Sequence, residues 1–156
     1  MITPHQYVYF VSKTLNAMTA IVAGLGDDLA NQKPDLPGAN TPYALLNHSL
    51  GAIDFWAGQI VSGRPVQRDR DAEFLASGPV QPLIDRAGTT LARLTADAQA
   101  ADVRAEPQAP VPLAFPGLDE PLDRGGALFH LYTDLVQHLG QLELTRDVLN
   151  ETARLH

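Results

Sequence analysis

Three polar residues interrupt the apolar pattern of one C-terminal stretch, HLYTDLVQHLGQLELTR, residues 130–146. His130, Asp134 and His138 follow one another at intervals of four residues. Residues four apart on a helix lie on one face, about 5–6 Å apart at Cβ, so two such side chains can reach one divalent cation. Imidazole nitrogens and a carboxylate are ordinary ligands of zinc and of non-heme iron. The spacing therefore indicates a metal site.

The heptad pattern of this stretch distinguishes the three residues. Seven positions at alternating steps of three and four predict the buried seam of a helical bundle: Leu128, Leu131, Leu135, His138, Leu142, Thr145 and Leu149. His138 thus takes a position where leucine is expected, and Asp134 flanks the seam. A carboxylate at such a place needs a partner or a metal ion. His130 is a further candidate ligand, less favoured than the other two.

A third ligand candidate lies on another predicted helix. His48 stands in LLNHSLGAIDFW, one residue beside the apolar stripe of that helix. If the two helices pack side by side, His48, Asp134 and His138 converge inside the bundle and leave coordination positions open. A single histidine on an amphipathic helix is more often a hydrogen-bonded structural residue. That interpretation stays open for each residue taken alone.

Apolar periodicity and capping signals predict four long helices. The first begins at Pro4 and ends near Gly24 and Gly26, and the second begins at Pro42 and ends before Gly63. The third spans about residues 83–98, and the fourth spans about Arg124–Asn150. A short helical turn is predicted near residues 72–75. The expected fold is an all-α four-helix bundle, one domain over residues 1–156. The long connections after the first and third helices leave the helix order open between up-down-up-down and a crossover arrangement.

Composition excludes several classes of protein. The chain has 156 residues, 45% of them hydrophobic, and a formal net charge of -7. This acidic balance opposes binding to nucleic acid. No apolar run is expected to reach the roughly 20 residues of a membrane span, and the N-terminus lacks the pattern of a signal peptide. The chain has no cysteine, so it offers neither a disulfide nor a thiol nucleophile. A cytoplasmic protein fits these features.

Three segments together resemble the DinB/YfiT-like metal-binding superfamily, and in particular its mycothiol-dependent maleylpyruvate isomerase-like branch. They are LPGANTPYALLNHSLGAIDFWAGQIVSGR at 36–64, RDRDAEF at 68–74 and HLYTDLVQHLGQLELTRDVL at 130–149. The resemblance implies a bundle of up-down-down-up order. It also implies a divalent-metal triad of His48, Asp134 and His138. The isomerase branch carries glutamate where this chain has Asp134, which is one methylene shorter.

The resemblance further implies chemistry with a low-molecular-weight thiol such as mycothiol or bacillithiol. The expected function is a transferase or isomerase that uses this thiol on a small electrophile. Zinc is the first choice of metal, and nickel and iron are alternatives. The alternative function is a non-catalytic, ligand-binding or stress-associated bundle with a vestigial metal site. Partners would be the substrate, the thiol and a second copy of the chain in a homodimer.

Other polar residues are candidates for lining the site. Gln141 follows His138 by three residues, and Arg70 lies in the charged segment after the second helix. Arg68 and Glu73 belong to the same segment and could grip a carboxylate or the thiol cofactor. The favoured interpretation of these charges is a solvated loop, because surface charge pairs contribute little to stability.

Overall fold

The computed structural model describes residues 2–112, 115–116 and 118–155. Its elements are α1 (Pro4–Ala30), α2 (Pro42–Ile53) with a π-helical continuation (Asp54–Val61), α3 (Arg70–Leu75), α4 (Val80–Ala100) and α5 (Arg124–Arg154). The described residues contain no strand. The prediction of an all-α fold is confirmed, with α1, α2, α4 and α5 as its four long helices. The short turn predicted near residues 72–75 is α3.

The predicted helix starts are capped by side chains. The Thr3 and Thr41 hydroxyls accept hydrogen bonds from backbone N–H groups in the first turns of α1 and α2, and each is followed by proline. The Asp123 carboxylate does the same for α5. These bonds satisfy N–H groups that have no partner within the helix. Local sequence therefore fixes where each of these helices begins.

The end of α1 differs slightly from the prediction. Gly26 has φ 68° and ψ 179°, a conformation that glycine tolerates best. The helix kinks there and resumes for one more turn, which ends at Ala30. The sequence placed the end of the long helix at the glycines, which is where the regular part stops.

The core forms where the four long helices meet. Six of the seven seam positions predicted on α5 are buried, and His138 is half-buried. On α2 and its π-helical continuation, the buried stripe matches the predicted one: Leu45, Leu46, Ser49, Ile53, Trp56 and Ile60. The periodicity of apolar residues thus predicted which faces pack inward.

Contacts between helices α1 and α5 give their relative direction. The Tyr7 hydroxyl donates to the Leu128 carbonyl at 2.9 Å, and the Phe10 ring lies 6.4 Å from the Tyr132 ring. Residues near the start of α1 thus contact residues near the start of α5, and later residues of α1 contact later residues of α5. The two helices are parallel.

The other two long helices run the opposite way. The His48 ring lies 4.9 Å from the His138 ring, and the Trp56 ring 4.5 Å from the His130 ring, so α2 is antiparallel to α5. The start of α4 meets the end of α1, where the Asp27 carboxylate accepts from the backbone N–H of Val80 at 2.8 Å. The order is therefore up-down-down-up. Of the two arrangements that the sequence left open, the crossover arrangement is confirmed and up-down-up-down is excluded.

Helix α1 corrects one expectation. By length and composition alone, α1 is long and apolar enough to cross a membrane. No apolar stretch of that length was expected from the sequence. The most apolar residues of α1 lie in the bundle: Val11, Leu15, Met18 and Val22 are almost fully buried. A core helix passes the same test, because its apolar face is covered by neighbouring helices.

The burial pattern on α5 predicts unequal effects of two leucine substitutions. Leu142 is fully buried, so Leu142→Ala is expected to lower the free energy of unfolding by about 2–5 kcal/mol. The matched control is Leu144→Ala on the same helix, where the side chain is 62% exposed. Its effect should be below about 0.5 kcal/mol. Urea denaturation measures both, and equal losses would contradict the assigned seam.

Candidate metal centre

Helices α2 and α5 bring His48, Asp134 and His138 together. One ligand atom from each residue lies within 4.8 Å of the others, and His138 Nε2 is 3.5 Å from Asp134 Oδ1. His48 is buried, whereas the side chains of Asp134 and His138 are 27% and 17% exposed. Ligands of one zinc ion at about 2.0–2.2 Å lie roughly 3–3.5 Å apart. Small side-chain movements would therefore let the cluster enclose a cation and leave a side open to solvent.

The buried histidine is held by α3. His48 Nδ1 lies 2.8 Å from Glu73 Oε2, which leaves Nε2 as the free nitrogen. The ring of Phe74 stacks on the imidazole at 4.1 Å between centroids, with 24° between the planes. Both contacts come from adjacent residues of one short helix, so α3 sets the orientation of the His48 ring.

The second histidine has a similar arrangement. His138 Nδ1 lies 3.3 Å from Gln141 Oε1, while Nε2 faces the Asp134 carboxylate. An oxygen acceptor at Nδ1 favours the tautomer that leaves Nε2 as a lone-pair donor. Histidine ligands of metals commonly use this outer hydrogen bond. In both histidines Nδ1 is thus the nitrogen occupied by an oxygen partner.

Electrostatics separate the two histidines. Burial lowers the pKa of His48 below its ordinary value of 6.5, and the hydrogen bond to Glu73 offsets this only in part. The contact with Asp134 raises the pKa of His138 against the opposing effect of burial. Burial would raise the pKa of Asp134, but the contact and charge of His138 lower it. Without a cation, the site favours neutral His48 beside an ion pair of Asp134 and His138.

The remaining predicted site residues surround this cluster. His130 lies outside it, packed edge-on against the rings of Trp56 at 4.5 Å and Phe115 at 5.2 Å. Gln141 contacts His138 directly. The Arg70 guanidinium lies 5.3 Å from the ring centre of Phe74, at the outer edge of the site. Of the candidate residues, His48, Asp134 and His138 have ligand atoms that lie close enough together to share one cation.

The sequence interpretation of Arg68 and Glu73 as a solvated loop is wrong. Their side chains are only 16% and 11% exposed, and two guanidinium nitrogens of Arg68 donate to the two carboxylate oxygens of Glu73 at 2.9 Å each. The Asn47 amide also donates to the Glu73 carbonyl at 3.1 Å. Gly51 was a signal in the sequence for this contact. Glycine within a helix lowers helix stability by about 1 kcal/mol and often marks a place where another group lies close to the helix backbone.

Comparison with known proteins identifies the family of this chain. The family model described as mycothiol-S-transferase matches residues 6–151. The chain belongs to this DinB-like family. The recognition of the superfamily from three segments is thereby confirmed, and the matched family carries a transferase description. Among curated proteins, none matches the chain.

A solved structure shares the fold. The crystal structure of a conserved protein from Enterococcus faecalis superposes with a TM-score of 0.72 and covers 97% of this chain and 99% of its own. The two sequences are 15% identical, so the likeness concerns the fold alone. It agrees with the bundle order deduced from the helix contacts.

The ion pair on α5 predicts a pH effect in protein stripped of metal by a chelator. Asp134→Asn should lower the pKa of His138, because it removes the largest cause of the increase. The charged form of His138 stabilises the folded state at pH values below 6.5, the ordinary pKa of histidine. This stabilisation extends down to the lowered pKa of Asp134, where the carboxylate becomes protonated. This contribution is lost as pH rises through the raised pKa of His138. The variant should therefore lose more stability under mildly acidic than under alkaline conditions.

Proton NMR titration of the imidazole resonances measures this pKa. The control is Asp147→Asn, a substitution of an exposed carboxylate on the same helix. It should leave the pKa of His138 unchanged. An unchanged pKa in Asp134→Asn would show that the two side chains do not interact.

Proposed function

We propose that His48, Asp134 and His138 bind one divalent cation and that the protein transfers a small thiol of the mycothiol type to an electrophile. One observation carries the first part. Two imidazoles and a carboxylate from facing helices converge within 4.8 Å, while oxygen atoms already occupy Nδ1 of both histidines. The family match carries the second part.

The donor set suits a catalytic rather than a closed structural site. Two nitrogens and one carboxylate oxygen leave at least one position for an external ligand. Zinc is the favoured cation, and nickel and iron accept the same donors. A bound cation would supply a Lewis acid that stabilises a thiol in its thiolate form.

The charges around the site favour an anionic external ligand. The carboxylates of Asp134 and Glu73 and the guanidinium of Arg68 together carry one net negative charge, and the guanidinium of Arg70 at the outer edge of the site balances it. A divalent cation would therefore leave excess positive charge in a half-buried site, and a thiolate would reduce it. Uncompensated charge is costly at such a place. The residues of this chain therefore match a thiolate better than a neutral ligand.

The chemistry agrees with the composition. The chain contains no cysteine, so the sulfur must come from a cofactor. The thiol loses its proton to solvent, its sulfur forms a bond to the electrophilic carbon, and the leaving group departs with its electron pair. Asp134 supplies negative charge, and the two histidines supply neutral nitrogen donors. A thiol-dependent reaction of this kind belongs in the reducing cytoplasm.

Zinc binding separates the proposed ligands from their neighbour. Isothermal titration of metal-stripped protein should show one zinc ion bound per chain. His138→Ala should weaken binding more than the roughly 10–100-fold expected for loss of an outer partner, because it removes a ligand. His130→Ala, which removes a histidine about two turns before His138 on the same helix, should bind zinc as the unaltered protein does. Equal affinity in all three proteins would contradict the proposed site.

A thiol-transfer assay tests the second part. Metal-loaded protein, mycothiol and a small halogenated electrophile should give the thioether and free halide, and His48→Ala should abolish the reaction. The control is His5→Ala, where an exposed terminal histidine is removed. Tight metal binding without turnover of mycothiol or bacillithiol would favour the alternative of a non-catalytic bundle.

A further inference from the structure

We propose that Glu73, oriented by Arg68, is a positioning residue that keeps the proton of His48 on Nδ1 and so directs Nε2 toward the cation. This inference rests on the proposed function of the His48, Asp134 and His138 cluster. Glu73 lies too far along the chain from His48 for any local pattern to link them. The role is carried by α3, which brings Glu73 onto α2.

The first support is the hydrogen bond itself. Glu73 Oε2 lies 2.8 Å from His48 Nδ1, and a carboxylate can only accept. The Arg68 guanidinium also approaches Nδ1, but at 3.5 Å, so the shorter contact with the carboxylate places the proton of neutral His48 on Nδ1. A histidine side chain free in water prefers its proton on Nε2, so the carboxylate reverses the ordinary preference. With Nε2 protonated, the lone pair of His48 would be on Nδ1, which the Glu73 carboxylate already faces, and Nε2 could not bind a cation.

The second support is the clamp on Glu73. Arg68 Nε and Nη2 donate to the two carboxylate oxygens at 2.9 Å each, the parallel geometry that guanidinium and carboxylate groups favour. The Arg68 guanidinium also lies 5.4 Å from the ring centre of Phe55. Arg68 is therefore held between an aromatic ring and the carboxylate, and the rotamer of Glu73 is fixed.

The third support is the space left for Glu73. A Cβ built on Gly51 would collide with Glu73 Oε1 and would lie 2.6 Å from Glu73 Cδ. Gly51 is within α2, one turn after the buried histidine. Glycine there lowers helix propensity, and the side chain of Glu73 fills the room it leaves. The carboxylate thus rests directly on the backbone of the helix that carries His48.

The fourth support is that α3 adds little to the core, since Phe74 is its one residue packed against the core cluster and is only partly buried. None of its six residues is buried. Its polar and aromatic contacts with the bundle include the Asn47 bond to the Glu73 backbone, the Glu73 carboxylate on His48 and the Phe74 ring stacked on the same imidazole. A scaffold helix would bury apolar residues, whereas α3 meets the bundle around His48.

The experiment compares Glu73→Ala and Glu73→Gln with Asp71→Asn, which removes an exposed carboxylate from the same helix. Nitrogen-15 NMR of metal-free protein at a pH where His48 is neutral reports which ring nitrogen carries the proton. Glu73→Ala should move it from Nδ1 to Nε2 and weaken zinc binding roughly 10–100-fold. Glu73→Gln, whose amide oxygen can still accept, should keep much of the Nδ1 proton and lose less affinity. Asp71→Asn should change neither.

The outcomes separate this inference from the proposed function. If Glu73→Ala keeps the Nδ1 proton and full zinc affinity while His48→Ala loses zinc, the positioning role is overturned and the metal site stands. If neither His48→Ala nor His138→Ala weakens zinc binding, the metal site is overturned and this inference with it. Urea denaturation of each variant shows that a lost affinity is not lost folding, and Glu73→Gln decides the question if Glu73→Ala does not fold.

Discussion

Burial of the His48 imidazole is the constraint on which the rest of the site depends. A histidine that is 2% exposed needs a hydrogen-bond partner for any ring nitrogen that loses contact with water, because an unsatisfied buried polar atom is costly. Glu73 satisfies Nδ1. The buried ring lies against Asp134 and His138, which are one helical turn apart on the facing helix. The divalent cation that we propose would bind one ligand atom of each of these three residues.

The helix order creates this meeting. Because α2 runs antiparallel to α5, the first half of α2 lies against the middle of α5 and His48 faces His138. The segments that connect the long helices supply contacts around the cluster of His48, Asp134 and His138. Residues 62–79 carry Arg68 and α3, and the connection between α4 and α5 places Phe115 against His130. His130 is thereby packed among aromatic rings rather than available to the cluster, which explains why four-residue spacing alone did not identify the ligands.

Sequence predicted what depends on local periodicity and left out what depends on packing. The apolar seam of α5 and the four-residue spacing of Asp134 and His138 are properties of one helix, so their shared face was predictable. The approach of His48 depends on helix order, which the residues alone left open and the family resemblance supplied. Glu73 and Arg68 were assigned to solvent because burial of a charged pair arises only when α3 folds onto Gly51. The π-helical turns after Ile53 likewise have no signal in residue type.

The shorter arm of Asp134, compared with glutamate, makes the position of the cation the central question. A crystal structure of zinc-loaded protein with anomalous diffraction at the zinc edge answers it directly. We expect one anomalous peak at about 2.0–2.2 Å from Nε2 of His48, Nε2 of His138 and a carboxylate oxygen of Asp134. A peak bound through His130, or no peak between α2 and α5, would contradict the proposed metal site.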